Sequence, residues 1–250
     1  MTLGLLTPFA VNRWVAKQRA AGRSEHGIAN RLSALKVFSK KYVCEYLELT
    51  TYDLLRKVRR LTPPDKLKPA LNETELKALL DSYEDNTYED LRNRAFLAVL
   101  MATGLRFREA LDLVMEDVDK ISGELTVLGK GRRMRIVRLS PKAMHYLREY
   151  LRVRPQSQLT NHVWLTDRGK PLSYWGGQSV FRRLRQRAGI PRLHAHLLRH
   201  TFTQEALRRG AERAVVQDML GHATEAMTRR YAGEVRQQIA AQMMPRFSPL

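Results

Sequence analysis

Six residues spread along the chain are of types that could act together on a phosphodiester: Arg106, Lys130, His196, Arg199, His222 and Tyr231. Each has an ordinary reading by itself. Arg106 could be a solvated charge at a helix start, Lys130 a turn lysine, His196 or His222 a helix cap, and Tyr231 a packing side chain. Together they fit one reaction, attack of a phenol on phosphorus. Charge builds on the non-bridging oxygens in that transition state, and guanidinium forks meet those oxygens bidentately without losing their charge. Removing one such pre-aimed donor costs ~3 kcal/mol in comparable sites. A histidine can take the phenol proton, and a mobile lysine can protonate the leaving 5′-oxygen. The tyrosine would then hold the strand as a phosphotyrosine ester, which keeps the bond energy. His196 and His200 stand four apart, but no HExxH pattern and no acidic neighbour supports a zinc pair. No carboxylate cluster is available for a metal. The expectation is chemistry without metal, cofactor or ATP.

These residues need elements to place them. Gly104 should end an apolar helix over 88–103, so Arg106 would project from a loop or the start of the next short helix, 106–115. Alternating residues on either side of Gly129-Lys130-Gly131 read as a β-hairpin, 124–128 with 133–139, which puts Lys130 at its tip. His196 and Arg199 lie three apart on a helix over 195–209 and so share a face. Gly221 should stop a helix over 212–220, with His222 just beyond and Tyr231 on a following helix, 224–232. A last helix is expected over 234–244.

Further helices are expected over 7–22, with Thr7 as cap and Pro8 in the first turn, then 24–46 and 52–60. After these, LTPPDKLKPA holds three prolines and three charged residues and reads as a linker. Asn72 and Glu75 resemble a capping box opening a helix to Tyr83; Ser140-Pro141 opens another to Val153, and Ser173 a third to Ala188. HVWLT reads as a short strand followed by a DRGK turn. The expected class is mainly α with a small antiparallel sheet. The expected domains are a helical N-terminal one over 1–62, a linker over 63–70 and a larger one over 71–250.

Composition narrows the partner. Lys and Arg number 44 against 25 Asp and Glu, a net charge of +19, whereas roughly +2 to +8 suffices for the solubility of a small domain. Such an excess points to a polyanion, nucleic acid first and an acidic membrane surface second. The single cysteine, Cys44, excludes an intramolecular disulfide and a cysteine-based metal site. No apolar run approaches the ~20 residues of a membrane span. The first residues carry no secretory signal pattern, so an intracellular, cytoplasmic protein is expected.

At its functional residues the chain resembles the tyrosine recombinases, the phage integrase and Xer-type family. Thr103-Gly104-Leu105-Arg106 with Glu109 is similar to the family's first arginine box, and Leu128-Gly129-Lys130-Gly131 to its hairpin lysine. His196-Leu197-Leu198-Arg199-His200 resembles the His-x-Leu-Arg-His box and Leu220-Gly221-His222 the Leu-Gly-His box; Tyr231 follows nine residues later, the usual spacing of the nucleophile. The likeness covers about 70–245 well and 7–60 in outline. Val137-Arg138-Leu139 departs from the common Val-Pro-Leu, and Ala232-Gly233 stands where many members place a histidine.

The resemblance implies a site-specific DNA recombinase or integrase that cleaves and rejoins strands through a 3′-phosphotyrosine. Arg106, Arg199 and His222 would bind the scissile phosphate, and His196 would assist proton transfer. Lys130 would be the general acid, Tyr231 the nucleophile and Glu109 an orienting carboxylate. The N-terminal domain would be a core-binding domain, shorter than in many members, clamping double-stranded DNA against the catalytic domain. Candidate DNA contacts are Lys66 and Lys68 of the linker, Arg132, Arg133 and Arg135 of the hairpin, and Arg182, Arg183, Arg185 and Arg187 of one helix. The free protein would be a monomer, and a tetramer on two duplexes would form by exchange of the C-terminal tail, where Val235, Ile239, Met243 and Phe247 make an apolar stripe. Two rivals share much of this pattern: a type IB topoisomerase-like relaxing enzyme and a non-cleaving DNA-binding relative.

Overall fold

The computed structural model describes residues 6–63, 69–83, 87–129, 134–156 and 160–221. The chain divides into two compact units, Met1–Leu67 and Lys68–Leu250.

In the first unit, α1 (Pro8–Ala20) begins where the Thr7 hydroxyl accepts the Ala10 N–H at 3.1 Å, a cap worth about 1 kcal/mol, with Pro8 in the first turn. Ser24 caps α2 (Glu25–Val37) in the same way. The helix then widens to a π-helical stretch, Phe38–Tyr46, so the expected single helix over 24–46 is one rod with two windings. Val11, Val15, Ile28, Leu32, Leu55 and Val58 form the small core of this unit.

The helix expected over 52–60 is absent; only turns occur there. Competing partners take its backbone groups. Asp53 accepts the Leu55 N–H at 2.9 Å and the Ser39 hydroxyl at 2.5 Å. The Lys36 ammonium donates to the carbonyls of Leu55, at 3.0 Å, and of Val58. A short aspartate-led turn with its carbonyls bonded to a lysine has little to gain from helical pairing.

The second unit is built around α4 (Tyr88–Thr103), nearly every residue of which from Leu91 to Leu100 is buried. It packs against α6 (Pro141–Val153) and α8 (Ala195–Arg208). Helix α3 (Glu73–Asp81) has the full capping box expected of Asn72 and Glu75. After α4 come α5 (Phe107–Leu111) and a single 3₁₀ turn, Met115–Asp117, so the helix expected over 106–115 is cut short. Its lost stretch pairs instead as backbone: Val163 donates to the Leu113 carbonyl at 2.8 Å, and Val114 bridges His162. HVWLT therefore makes isolated bridges, Val114 with His162 and Leu165 with Pro171, rather than a strand. The following turn is present, closed by Thr166 N–H to the Lys170 carbonyl at 2.7 Å with Gly169 at φ +70°.

The sheet is one antiparallel pair, β1 (Glu124–Leu128) and β2 (Met134–Arg138), in a register that sets Val127 opposite Arg135 and Leu125 opposite Val137. Leu125, Val127 and Val137 face the core. Helix α7 (Tyr174–Arg187) lies on α5 through Gly177. A methyl group on that glycine would stand 2.7 Å from the Phe107 ring, so only glycine lets the two helices approach so closely. Helix α9 (Arg213–Leu220) ends at Gly221 in the left-handed region, as α4 ends at Gly104. The result is mainly α with a small antiparallel sheet, as expected. Among the described residues no helix is long and apolar enough to cross a membrane.

Candidate active site

Two glycine-capped helix ends meet at the centre of the site. Every helix leaves its last carbonyls without an intrahelical donor and carries partial negative charge there. Here arginines fill that need. Arg199 of α8 donates to the Gly104 carbonyl, at the end of α4, and to the Leu220 carbonyl, at the end of α9, both at 2.8 Å. Arg106 donates to the Gly221 carbonyl at 3.1 Å. Arg135 of β2 donates through Nε to the Met219 carbonyl at 3.1 Å. The three successive carbonyls of residues 219, 220 and 221 thus each receive a different guanidinium. That anchoring ends one residue before His222.

Glu109 ties two of these arginines together. Its Oε1 accepts from Arg106 Nη1 at 2.5 Å and its Oε2 from Arg135 Nη2 at 2.7 Å. Oε2 also accepts the Arg106 backbone N–H at 3.0 Å, which starts α5. Burial works to raise the Glu109 carboxyl. The bonds from Arg135 and from the Arg106 backbone and side chain outweigh it and hold the group below its ordinary 4.5. Glu109 pairs with Arg106 and Arg135, and Arg199 bonds two carbonyls, so among the described residues the three guanidiniums of this cluster outnumber its one carboxylate. The Arg106 side chain is 35% exposed and meets the surface, whereas Arg199 is buried beneath it.

His196 is exposed on the first turn of α8, one turn before Arg199. His194 caps this helix by accepting the Leu197 N–H at 3.2 Å on Nδ1. The structure therefore brings Arg106, Glu109 and Arg199 into one bonded cluster and sets His196 a turn away. Lys130, His222 and Tyr231 lie outside the described residues, as do Lys66, Lys68, Arg132, Arg133, the C-terminal helices and the tail stripe. Arg182 and Arg183 are exposed on α7. Arg185 and Arg187, expected beside them, are engaged within the protein: Arg185 donates to the Leu193 carbonyl at 2.7 Å and Arg187 to Asp90 at 3.2 Å.

Arg135 was expected on a DNA-facing surface and is instead turned inward, its side chain 12% exposed. The signal for this was in the alternation. Residues 135 and 137 share one face of β2, Leu139 continues the alternation just past the strand, and Val137 and Leu139 are plainly core residues. The carbonyls of Gly104, Leu220 and Gly221 are not legible in the sequence, because a backbone oxygen has no signature there beyond the glycine that turns it.

Comparison with known proteins follows the same lines. A profile of the phage integrase family matches residues 69–237. The tyrosine recombinase XerD of Staphylococcus aureus is 33% identical over 245 residues, 91% of this chain and 78% of that protein. XerD of Halalkalibacterium halodurans is 32% identical over 220 residues, 85% of this chain and 72% of its own length. Among solved structures, the XerA recombinase is 26% identical with a TM-score of 0.63, covering 99% of this chain and 86% of that one. The XerH recombinase, bound to palindromic difH substrate in a post-cleavage complex, has a TM-score of 0.76 at 24% identity, over 94% of this chain and 71% of that one.

Proposed function

The chain belongs to the phage integrase family, as a site-specific tyrosine recombinase, and from that premise we propose how its residues divide the reaction. Tyr231 Oη attacks the scissile phosphorus and forms a 3′-phosphotyrosine. The leaving 5′-oxygen takes its proton from Lys130. A 5′-hydroxyl from the partner strand then attacks the phosphotyrosine and restores the backbone. Arg106, Arg199 and His222 carry the charge of the non-bridging oxygens, His196 assists proton transfer, and Glu109 orients Arg106. The cations take the part that metal ions play elsewhere, so neither metal nor ATP enters the cycle.

One observation supports this division above the others. Arg106 and Arg199 come from boxes far apart in sequence, yet both bond the same helix end, at Gly221 and Leu220, immediately before His222. Double-stranded DNA is the partner in this reading. Residues 1–62 act as the core-binding unit, and Lys66 and Lys68 of the linker, with Arg132, Arg133, Arg182 and Arg183, supply phosphate contacts. Assembly is a tetramer on two duplexes through tail exchange, and the work is done at the nucleoid. A head-to-tail contact of this kind closes into a ring.

Covalent trapping on nicked suicide duplexes, cut from DNA that flanks the gene, tests the nucleophile. The wild type should give a denaturation-resistant protein–DNA adduct. Tyr231→Phe should bind the same duplexes and give none. Equal adduct from both proteins would remove Tyr231 from its role.

A further inference from the structure

Of the three guanidiniums at the end of α9, Arg135 lies outside the boxes quoted above and has no part in the division of the reaction. It lies on β2 opposite Val127 and five residues after Lys130 in sequence. All three of its side-chain nitrogens reach protein oxygens: Nε the Met219 carbonyl at 3.1 Å, Nη2 Glu109 Oε2 at 2.7 Å and Nη1 Glu109 Oε1 at 3.4 Å. Its guanidinium also backs the Gly221 turn, where a Cβ would meet Arg135 Nη1 at 2.9 Å and Cζ at 3.2 Å. One side chain therefore touches the hairpin, α5 and α9 at once.

We propose that Arg135 is a positioning residue for strand cleavage, locking the β1–β2 hairpin to Glu109 and to the α9 terminus so that Arg106 and the hairpin that carries Lys130 share one frame. This rests on the recombinase reading above. The Glu109 side chain is only 8% exposed, and both of its oxygens are divided between Arg106 and Arg135. Without Arg135 a buried carboxylate would be left, among the described residues, with Arg106 as its one ion-pair partner. Arg106 would then be drawn toward both oxygens and away from the Gly221 carbonyl. The hairpin would lose its bonded link to α9 in the same stroke. Displacements of about 1 Å in such sites cost on the order of 10²-fold in rate.

The test uses the full chain with Arg135→Ala and Arg135→Lys, and Arg138→Ala as control. Arg138 is exposed on the same strand and bonds the Ser122 carbonyl at 3.1 Å. Thermal unfolding identifies which variants are folded; Arg135→Lys keeps a charge against Glu109 and covers the case in which the alanine variant is not. In folded Arg135→Ala, duplex affinity should stay within about threefold of wild type, with an unchanged log–log salt slope, because no phosphate contact is lost. Single-turnover adduct formation at saturating DNA should fall on the order of 10²-fold. Arg135→Lys should lie between, since one ammonium cannot span Glu109 and Met219, and Arg138→Ala should match wild type. A duplex with sulfur as the 5′-bridging atom adds a readout that a merely structural role would not move. A thiolate, with a thiol pKa of about 8.5, leaves without an acid, so the part of the defect routed through Lys130 should shrink.

A salt slope lower by about 0.9 would make Arg135 a phosphate contact and overturn the proposal. So would an unchanged cleavage rate in a folded variant, and an equal defect on both substrates would sever the link to Lys130. If the wild type forms no adduct, the recombinase reading falls and this one with it. A wild-type adduct with unimpaired Arg135 variants sinks this one alone.

Discussion

Arg199 shows how much one side chain can decide. It is buried, and its planar fork reaches two carbonyls that belong to different helices, Gly104 and Leu220. A lysine has a single donor centre and cannot span both. Arg199→Lys should therefore lower stability by about 1–3 kcal/mol and slow adduct formation on the order of 10²-fold, read by urea unfolding and by suicide-substrate trapping. Wild-type stability together with wild-type cleavage would mean that the two bonds are incidental. Glu109 carries a pH signature. Its folded carboxyl lies below the ordinary 4.5, so its contribution is present above that value and is lost as pH falls through the lowered folded pKa. Glu109→Gln should cost about 1–3 kcal/mol near neutral pH, and the gap to wild type should narrow as the medium is taken below about pH 4. A gap of constant size across that range would show that the charge of Glu109 does not matter.

Among the elements, the turn that closes α4 is the most exacting. Gly104 sits at φ +62°, and a Cβ there would come within 2.7 Å of Phe202 Cδ1 and 2.9 Å of Leu220 Cδ2. Gly104→Ala combines left-handed strain with overpacking and should destabilise by about 2–5 kcal/mol in urea unfolding. A loss below about 0.5 kcal/mol would show that Phe202 yields easily. It should also disturb Arg106, two residues on, and the carbonyl that Arg199 bonds. In the N-terminal unit, the segment over 52–60 depends on Lys36 rather than on its own propensity. Lys36→Met would strip the Leu55 and Val58 carbonyls of their donor while keeping the aliphatic stem. Hydrogen exchange should then rise at 51–60 and leave α4 untouched; unchanged exchange would assign that segment's order to its apolar contacts.

For the molecule as a whole, the charge of +19 sets the expectation for binding. Affinity for duplex DNA should fall by about 10³-fold or more between roughly 50 and 200 mM salt, the behaviour of a protein that releases several counterions. A flat dependence would count against phosphate contacts by the exposed arginines of α7. Deletion of residues 236–250 should abolish recombination while single-site cleavage survives, if the tail joins protomers on DNA. Survival of both activities would place the tail outside the assembly.

Much of this molecule was legible in its residues. Chemical type and spacing point to the boxes around Arg106, Lys130, His196, Arg199, His222 and Tyr231, and of these the structure gathers Arg106 and Arg199 at one helix end, while Lys130, His222 and Tyr231 lie outside the described residues. The capping residues Thr7, Ser24, Asn72, Ser140 and Ser173 marked helix starts correctly, since the cap bond is local. Segments whose partners lie far away in the chain were misread. Local pattern favours helix over 52–60 and 112–115, but Lys36 and Ser39 bond the first segment and residues 161–163 pair with the second. Arg135 looked like a surface charge on a basic hairpin. Only the tertiary structure set it against Glu109 and the end of α9, because a charge is buried at tolerable cost only where folding gathers its partners, here from α5 and α9.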